Sequence, residues 1–129
     1  MGKAKESKTI PASIVWFEIP ADKPERAKKF YSALFGWKIK AFPAMKGYWH
    51  IDTGGDNASP DGGLYKRKLK NQPITNYVHV ASLTKSLAKV QKLGGKIVAP
   101  RTDVPGMGCF AICLDLEGNI FALWERAPK

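Results

Sequence analysis

Apolar and polar positions follow two successive periods along the first half of the chain. The segment SIVWFEIP at 13–20 is rich in β-branched and aromatic residues, which indicates a strand in a buried sheet. A helical period follows, and its apolar side chains share one face: Ala27, Phe30, Tyr31 and Leu34. Asp22 and Glu25 have the spacing of a capping box, and Gly36 is suited to end the helix. The pattern therefore predicts a strand followed by a helix.

The second half repeats this order. ITNYVHV at 74–80 predicts a strand, Ser82 is suited to cap a helix, and Gly94 with Gly95 is suited to end it. The apolar face of this second helix consists of Leu83, Leu87 and Val90. The chain therefore contains an internal repeat of strand and helix.

Two further pairs of segments support the repeat. The helix exits read FGWKI at 35–39 and LGGKI at 93–97, and the ends of the halves read LYKR at 64–67 and LWER at 123–126. We predict two modules, about 12–70 and about 73–127, each a strand, a helix and two or three antiparallel strands, with loops at 54–63 and 105–108. One helix covers only one face of such a sheet, so two modules side by side would enclose a curved cavity.

The composition is that of one globular domain. At 129 residues, with 44% hydrophobic and 11% aromatic residues, the chain can bury a core as a single domain, 1–129. Residues 1–9 are expected to be a flexible basic tail. This start has no apolar run, so neither a signal peptide nor a membrane anchor is expected, and the expected location is cytoplasmic.

The chain is strongly basic. Its 21 Lys and Arg against 11 Asp and Glu give a net charge of +10, which attracts nucleic acids and other anions. The positive charges are dispersed, and no nucleic-acid motif accompanies them. A nucleic-acid partner is therefore not expected, although a basic interaction module stays open as a function.

Cys109 and Cys113 lie on one predicted strand and point to the same face. Along a strand they are too far apart to form a disulfide with each other. We interpret them as buried thiols rather than as metal ligands.

Three segments together resemble the vicinal oxygen chelate superfamily, which contains glyoxalases, bleomycin-resistance proteins and extradiol dioxygenases. They are WFEIPADKPERAKKFYSALFGW at 16–37, DVPGMG at 103–108 and DLEGNIFALWE at 115–125. The resemblance implies an α+β fold of two tandem βαβββ modules that form a cupped mixed sheet around a cavity. It also implies a homodimer.

Metal-using members of the superfamily take one His, Glu or Gln ligand from the first and last strand of each module. The resemblance assigns these four ligand positions to Trp16, Gly63, Thr75 and Ala122. None supplies a nitrogen or carboxylate ligand, and only Thr75 has a weak oxygen ligand. We therefore expect no bound metal and no cofactor, so the metal-dependent activities of the superfamily are not carried over.

With Trp16 in the cup, strand alternation orients its neighbours. Glu18 and Pro20 face the cup with Trp16, and by the repeat Glu18 lies opposite Tyr77. Ile120 and Ala122 face inward on the last strand, whereas Glu125 is on its other face and is expected to be a surface or rim charge. The predicted ligand-binding residues are Trp16, Glu18, Tyr65, Thr75, Tyr77, His79 and Trp124.

Each of these residues also has a structural interpretation. The aromatic residues could fill a closed core, Glu18 could form an ion pair with a basic side chain, and His79 could be a hydrogen-bonded wall residue. The orientation of His50 is not fixed by the sequence. The catalytic residues are unknown, with Glu18 and His79 as candidates.

The sequence is compatible with three functions. The leading hypothesis is a metal-independent, glyoxalase/bleomycin-resistance-like protein that binds a small molecule, because an aromatic cavity with a carboxylate suits a planar or cationic ligand. The second is a metal-independent isomerase or lyase that uses Glu18 or His79 as acid or base. The third is the basic interaction module.

Overall fold

The computed structural model describes residues 10–56 and 59–128, and the predicted tail at 1–9 lies outside them. The described residues contain eight strands and two helices. In chain order they are β1 (Ile14–Ala21), α1 (Pro24–Phe35), β2 (Lys38–Ala41), β3 (Tyr48–Asp52), β4 (Asp61–Lys66), β5 (Thr75–His79), α2 (Leu83–Lys92), β6 (Lys96–Val104), β7 (Gly108–Leu114) and β8 (Ile120–Arg126). Each half therefore has the order βαβββ, which confirms the predicted α+β class. Gly62 and Gly63 belong to β4, so the predicted loop at 54–63 was too long.

The chain divides into two compact units. One unit comprises Val15–Asn76, and the other comprises the described residues from Tyr77 onward with those up to Ile14. We refer to them as the first and the second unit. The single domain and the two module ranges stay predictions.

In the first unit, the strand order is β2-β3-β4-β1. β1 and β4 are parallel, whereas β2 with β3 and β3 with β4 are antiparallel, so the pairing is mixed. One face of these strands packs under α1 through Ile19, Ala21, Ile39, Ile51 and Leu64. The apolar alternation of β1 and β3 thus directs one set of side chains towards the helix and leaves the other set on the opposite face.

Helix α1 begins one residue later than a cap at Asp22 would require. Its N-cap is Lys23, which makes no capping hydrogen bond through its side chain, and Pro24 opens the helix. The carboxylate of Asp22 instead accepts a hydrogen bond from Nε of Arg67 at 3.0 Å. The predicted capping box of Asp22 and Glu25 is therefore wrong, whereas Gly36 ends the helix in the left-handed conformation, as predicted.

The apolar face of α1 is only partly used. Ala27 and Tyr31 pack against the buried cluster, but Phe30 and Leu34 are 59% and 57% exposed. The four apolar positions predicted the helix, but only Ala27 and Tyr31 of the four pack against this cluster.

In the second unit, the strand order is β5-β8-β7-β6. β5 and β8 are parallel, and the other pairs are antiparallel. The buried cluster between α2 and the strands consists of Leu83 of the helix and Cys109, Ala111, Cys113 and Leu123 of the strands. Both cysteines are free and buried, as predicted.

Two side chains accept hydrogen bonds from backbone N–H groups in the first turn of α2. The Ser82 hydroxyl accepts a hydrogen bond from the backbone N–H of Lys85 at 3.1 Å, which confirms the predicted cap. Glu125 accepts a hydrogen bond from the backbone N–H of Leu83 at 2.7 Å. Glu125 thus faces the helix and is partly buried rather than a surface charge. Among residues 10–56 and 59–128, no helix is long and apolar enough to cross a membrane.

Candidate functional site

The face of the first unit that points away from α1 carries the candidate site. Trp16 and Glu18 alternate along β1 with Phe17 and Ile19, which pack on the helix side. In the register of the sheet, Glu18 lies beside Gly63 of β4. On its other side, Gly63 is paired with His50 of β3.

Tyr48 links Trp16 and Glu18 through its hydroxyl group. The indole Nε1 of Trp16 donates a hydrogen bond to Tyr48 Oη at 3.0 Å, and Tyr48 Oη donates to Glu18 Oε2 at 2.7 Å. Because an indole N–H can only donate, the phenol must accept from Trp16 and direct its own proton to the carboxylate. We call this set of three residues the Trp16–Tyr48–Glu18 relay.

The position of the Tyr48 ring leaves no space for a side chain at Gly63. A Cβ atom at Gly63 would overlap the hydroxyl and ring carbons of Tyr48. The phenol ring therefore lies directly over the glycine, at the position that the resemblance assigns to a metal ligand.

The relay keeps its phenol protonated. Burial, followed by the nearby charge of Glu18, raises the pKa of Tyr48 far above its ordinary value. Tyr65 stacks beside Tyr48, with ring centroids 6.3 Å apart and planes 14° apart. Burial and Glu18 also raise the pKa of Tyr65, although Arg67 opposes this effect. Both tyrosines are therefore neutral hydrogen-bonding groups near neutral pH.

His50 shares this face, which the sequence had left undecided. Its Nε2 lies 3.2 Å from Oδ2 of Asp61, and Oδ1 of Asp61 accepts hydrogen bonds from the backbone N–H and the hydroxyl of Thr53. The His50 ring also lies 5.5 Å from the ring of Trp16. His50 and Asp61 therefore extend the polar part of the site beside the relay.

The remaining predicted residues lie on β5 and β8. Tyr77 is paired with Ala122, and His79 is paired with Trp124. Thr75 and Tyr77 are buried, and the Tyr77 ring meets Phe110 edge-on at 5.8 Å.

Trp124 lies against a glycine, as Tyr48 does in the first unit. A Cβ at Gly108 would come within 2.8 Å of the Trp124 ring. Burial, aided by the charge of Arg126, lowers the pKa of His79. This imidazole is therefore more readily neutral than an ordinary histidine.

The structure thus groups Trp16, Glu18 and Tyr65 in the first unit, and Tyr77, His79 and Trp124 on adjacent strands of the second. The placement of Glu18 opposite Tyr77 stays a prediction. Tyr48 was missed by the sequence reasoning. Its signal was the alternation in YWHID, where the buried Ile51 puts Tyr48 and His50 on the opposite face.

Comparisons with known proteins identify the family. The model of the bleomycin resistance protein-like N-terminal family matches residues 13–54. A glyoxylase-like domain-containing protein of Didymella fabae is 33% identical over 128 residues, which cover 93% of this chain and 98% of that protein. The chain belongs to the vicinal oxygen chelate superfamily.

Other similar proteins differ from this chain in length and sequence. A candidate glyoxylase of Mycobacterium tuberculosis is 28% identical over 120 residues, which cover 91% of this chain but 45% of that protein. The chain therefore spans less than half of that relative. The structure of methylmalonyl-CoA epimerase from M. tuberculosis superposes with a TM-score of 0.64 at 12% identity, covering 95% of this chain and 96% of the epimerase. This similarity shows the shared fold.

The side chains at the four positions that the resemblance assigns to metal ligands do not fit a divalent cation. The nitrogen of Trp16 carries a proton that is donated to Tyr48, and the place of a side chain at Gly63 is taken by the Tyr48 ring. Ala122 has no ligand atom, and Thr75 offers a hydroxyl group. Within 10–56 and 59–128, no three His, Cys, Asp or Glu residues are grouped closely enough to hold a metal ion.

Proposed function

We propose that the chain is a metal-independent small-molecule-binding protein of the glyoxalase-like family. The observation that carries this proposal is the Trp16–Tyr48–Glu18 relay. It supplies a fixed carboxylate and aromatic surfaces on the face where metal-using relatives hold a cation. We propose that the ligand contacts Trp16, Glu18 and Tyr65.

The chemistry of the relay favours a planar ligand that carries positive charge or a hydrogen-bond donor. An ionised carboxylate has about four acceptor positions, so the bond from Tyr48 to Glu18 is compatible with a ligand donor. Indole and phenol rings attract cations and stack on planar groups. Because Tyr48 is itself hydrogen-bonded to Trp16, the Glu18 side chain is held in one orientation before a ligand arrives.

We propose Thr75, at the start of β5, and Tyr77, His79 and Trp124 of the second unit as further ligand contacts. Trp124 is the strongest candidate among them, since its large ring is half-buried and is held against Gly108. Trp and Tyr supply much contact area at a low cost in conformational entropy.

A thermal-shift screen tests the proposal. Planar organic cations and their neutral isosteres are screened in the presence of EDTA, and a bound ligand raises the melting temperature. We expect stabilisation by cations in wild-type protein and a clear loss of it in Glu18→Gln. Glu117→Gln, the same change at an exposed turn position, is the matched control. Stabilisation that appears only after a divalent metal is added would contradict metal independence.

A second candidate function is a metal-independent isomerase or lyase. His79, half-buried on β5, carries this possibility: burial lowers the pKa of His79, so its imidazole is neutral and can accept a proton over a wider pH range than an ordinary histidine. If Glu18 or His79 transfers the proton, Glu18→Gln or His79→Gln abolishes turnover while ligand binding survives. Unchanged turnover in both variants would exclude this role.

We further propose that the protein acts in the cytoplasm as a homodimer. The support is the superfamily, whose members of this size often pair as dimers. Light scattering coupled to size-exclusion chromatography gives the molar mass directly, and a monomer at micromolar concentration would refute the dimer.

A further inference from the structure

A cavity lies in the first unit on the helix-covered side of the sheet, at the end of β1. Its volume is about 350 Å³, which is near the lower limit for sites that bind small molecules. The apolar part of its wall is formed by Ile19, Pro20, Ala21, Ala27, Phe30 and Tyr31. The side chains of Ile19 and Ala21 alternate with Glu18 along β1, and no residue of the relay lines this cavity.

One charged pair forms a fixed part of the wall. Nε of Arg67 donates to Asp22 at 3.0 Å. The same guanidinium donates to the carbonyl oxygen of Pro20 at 3.3 Å and to that of Gln72. Arg67 and Asp22 therefore balance each other's charge and are held in place by the backbone.

Two further cations line the cavity without such a balance. Lys23 and Arg26 are exposed wall residues, and neither takes part in an ion pair within the described part of the chain. Phe30 stands beside them with 59% of its surface exposed, and its ring meets Tyr31 edge-on at 5.3 Å. The cavity thus combines an apolar wall with an excess of two positive charges.

We propose that this cavity is a second binding site, which takes a small organic anion with an apolar body of one or two rings. The anionic group is held by Lys23 and Arg26, and the rings pack on Phe30 and Tyr31. Guanidinium and ammonium groups form charge-assisted hydrogen bonds with carboxylates and phosphates. The site therefore selects the opposite charge from the ligand proposed for Glu18, and it does not depend on that proposal.

Calorimetric titration with 2-naphthoate tests the site. Two compounds are titrated in parallel: 2-naphthamide, which has the rings but no charge, and inorganic phosphate, which has negative charge but no rings. We expect naphthoate to bind more tightly than either. In the double variant Lys23→Gln/Arg26→Gln, the Kd of naphthoate should rise about tenfold or more, because two charge-assisted contacts are lost.

Two further variants separate the site from general charge and test the cavity itself. Lys28→Gln/Lys29→Gln removes the same net charge from the same helix outside the cavity, and it should leave the Kd unchanged. Ala27→Leu fills the cavity without altering charge and should also weaken binding.

Four outcomes would overturn the proposal. The first two are no binding of naphthoate at millimolar concentration, and binding of naphthamide as tight as that of naphthoate. The third is an equal loss of affinity in Lys23→Gln/Arg26→Gln and in Lys28→Gln/Lys29→Gln. The fourth is a loss of naphthoate binding in Glu18→Gln. Failure of cations to bind at Glu18 would leave these expectations unchanged.

Discussion

Tyr48→Phe removes one oxygen atom and breaks both hydrogen bonds of the relay. The bond to the Glu18 carboxylate is 2.7 Å long and the bond from Trp16 is 3.0 Å long. A bond to a charged group contributes about 1.5–3 kcal/mol and a neutral one about 0.5–1.5 kcal/mol. Since Trp16 and Glu18 are only partly buried, water replaces some of this energy. We expect a loss of about 1–2 kcal/mol in the free energy of unfolding, or about 4–8 °C in melting temperature.

The same variant changes the response to alkaline pH. A raised pKa means that folded Tyr48 retains its proton where the unfolded chain has lost it. Its contribution to stability is therefore complete below the ordinary tyrosine pKa of about 10 and declines as the pH rises above that value. We expect wild-type protein to lose stability more steeply above pH 10 than Tyr48→Phe, in which the smaller effect of Tyr65 remains.

Guanidinium denaturation at neutral pH and across the alkaline range measures both effects. Tyr31→Phe is the matched control, because Tyr31 packs through its ring and the relay does not involve its hydroxyl. The reasoning is refuted if Tyr48→Phe is as stable as Tyr31→Phe and shows the wild-type alkaline slope.

Three further substitutions give direct tests. Gly63→Ala should lower the free energy of unfolding because its Cβ displaces the Tyr48 ring. This loss should largely vanish when Gly63→Ala is made in Tyr48→Ala protein. An equal loss with and without the Tyr48 ring would contradict this packing. Glu125→Gln should lower the free energy of unfolding by about 1 kcal/mol, since it weakens the hydrogen bond to Leu83 at the start of α2. Trp124→Ala should weaken binding of the ligand identified by thermal shift while circular dichroism remains native; unchanged affinity would remove Trp124 from the site.

The fold was largely predictable because its signals are local and repeated. Gly36 and Ser82 mark a helix end and a helix start through backbone chemistry that involves only neighbouring residues. The start of α1 was not predictable in this way. Asp22 pairs with Arg67, 45 residues further along the chain, and no local spacing shows that partner.

The candidate site was predictable where strand alternation had a clear anchor. On β1, the apolar Phe17 and Ile19 determine which face Trp16 and Glu18 occupy. Tyr48 was missed because its strand mixes aromatic and polar residues, and because its role depends on a glycine in the neighbouring strand. Only the register between β3 and β4 brings Tyr48 and Gly63 close together.

Calorimetric titration of the most stabilising cation into EDTA-treated protein tests the proposed function most directly. We expect saturable binding without metal, and a Kd that rises about tenfold or more in Glu18→Gln but stays unchanged in Glu117→Gln. Binding that requires an added divalent metal, or equal affinity in wild-type protein and Glu18→Gln, would contradict the proposal that Glu18 replaces a metal centre as the ligand's charged partner.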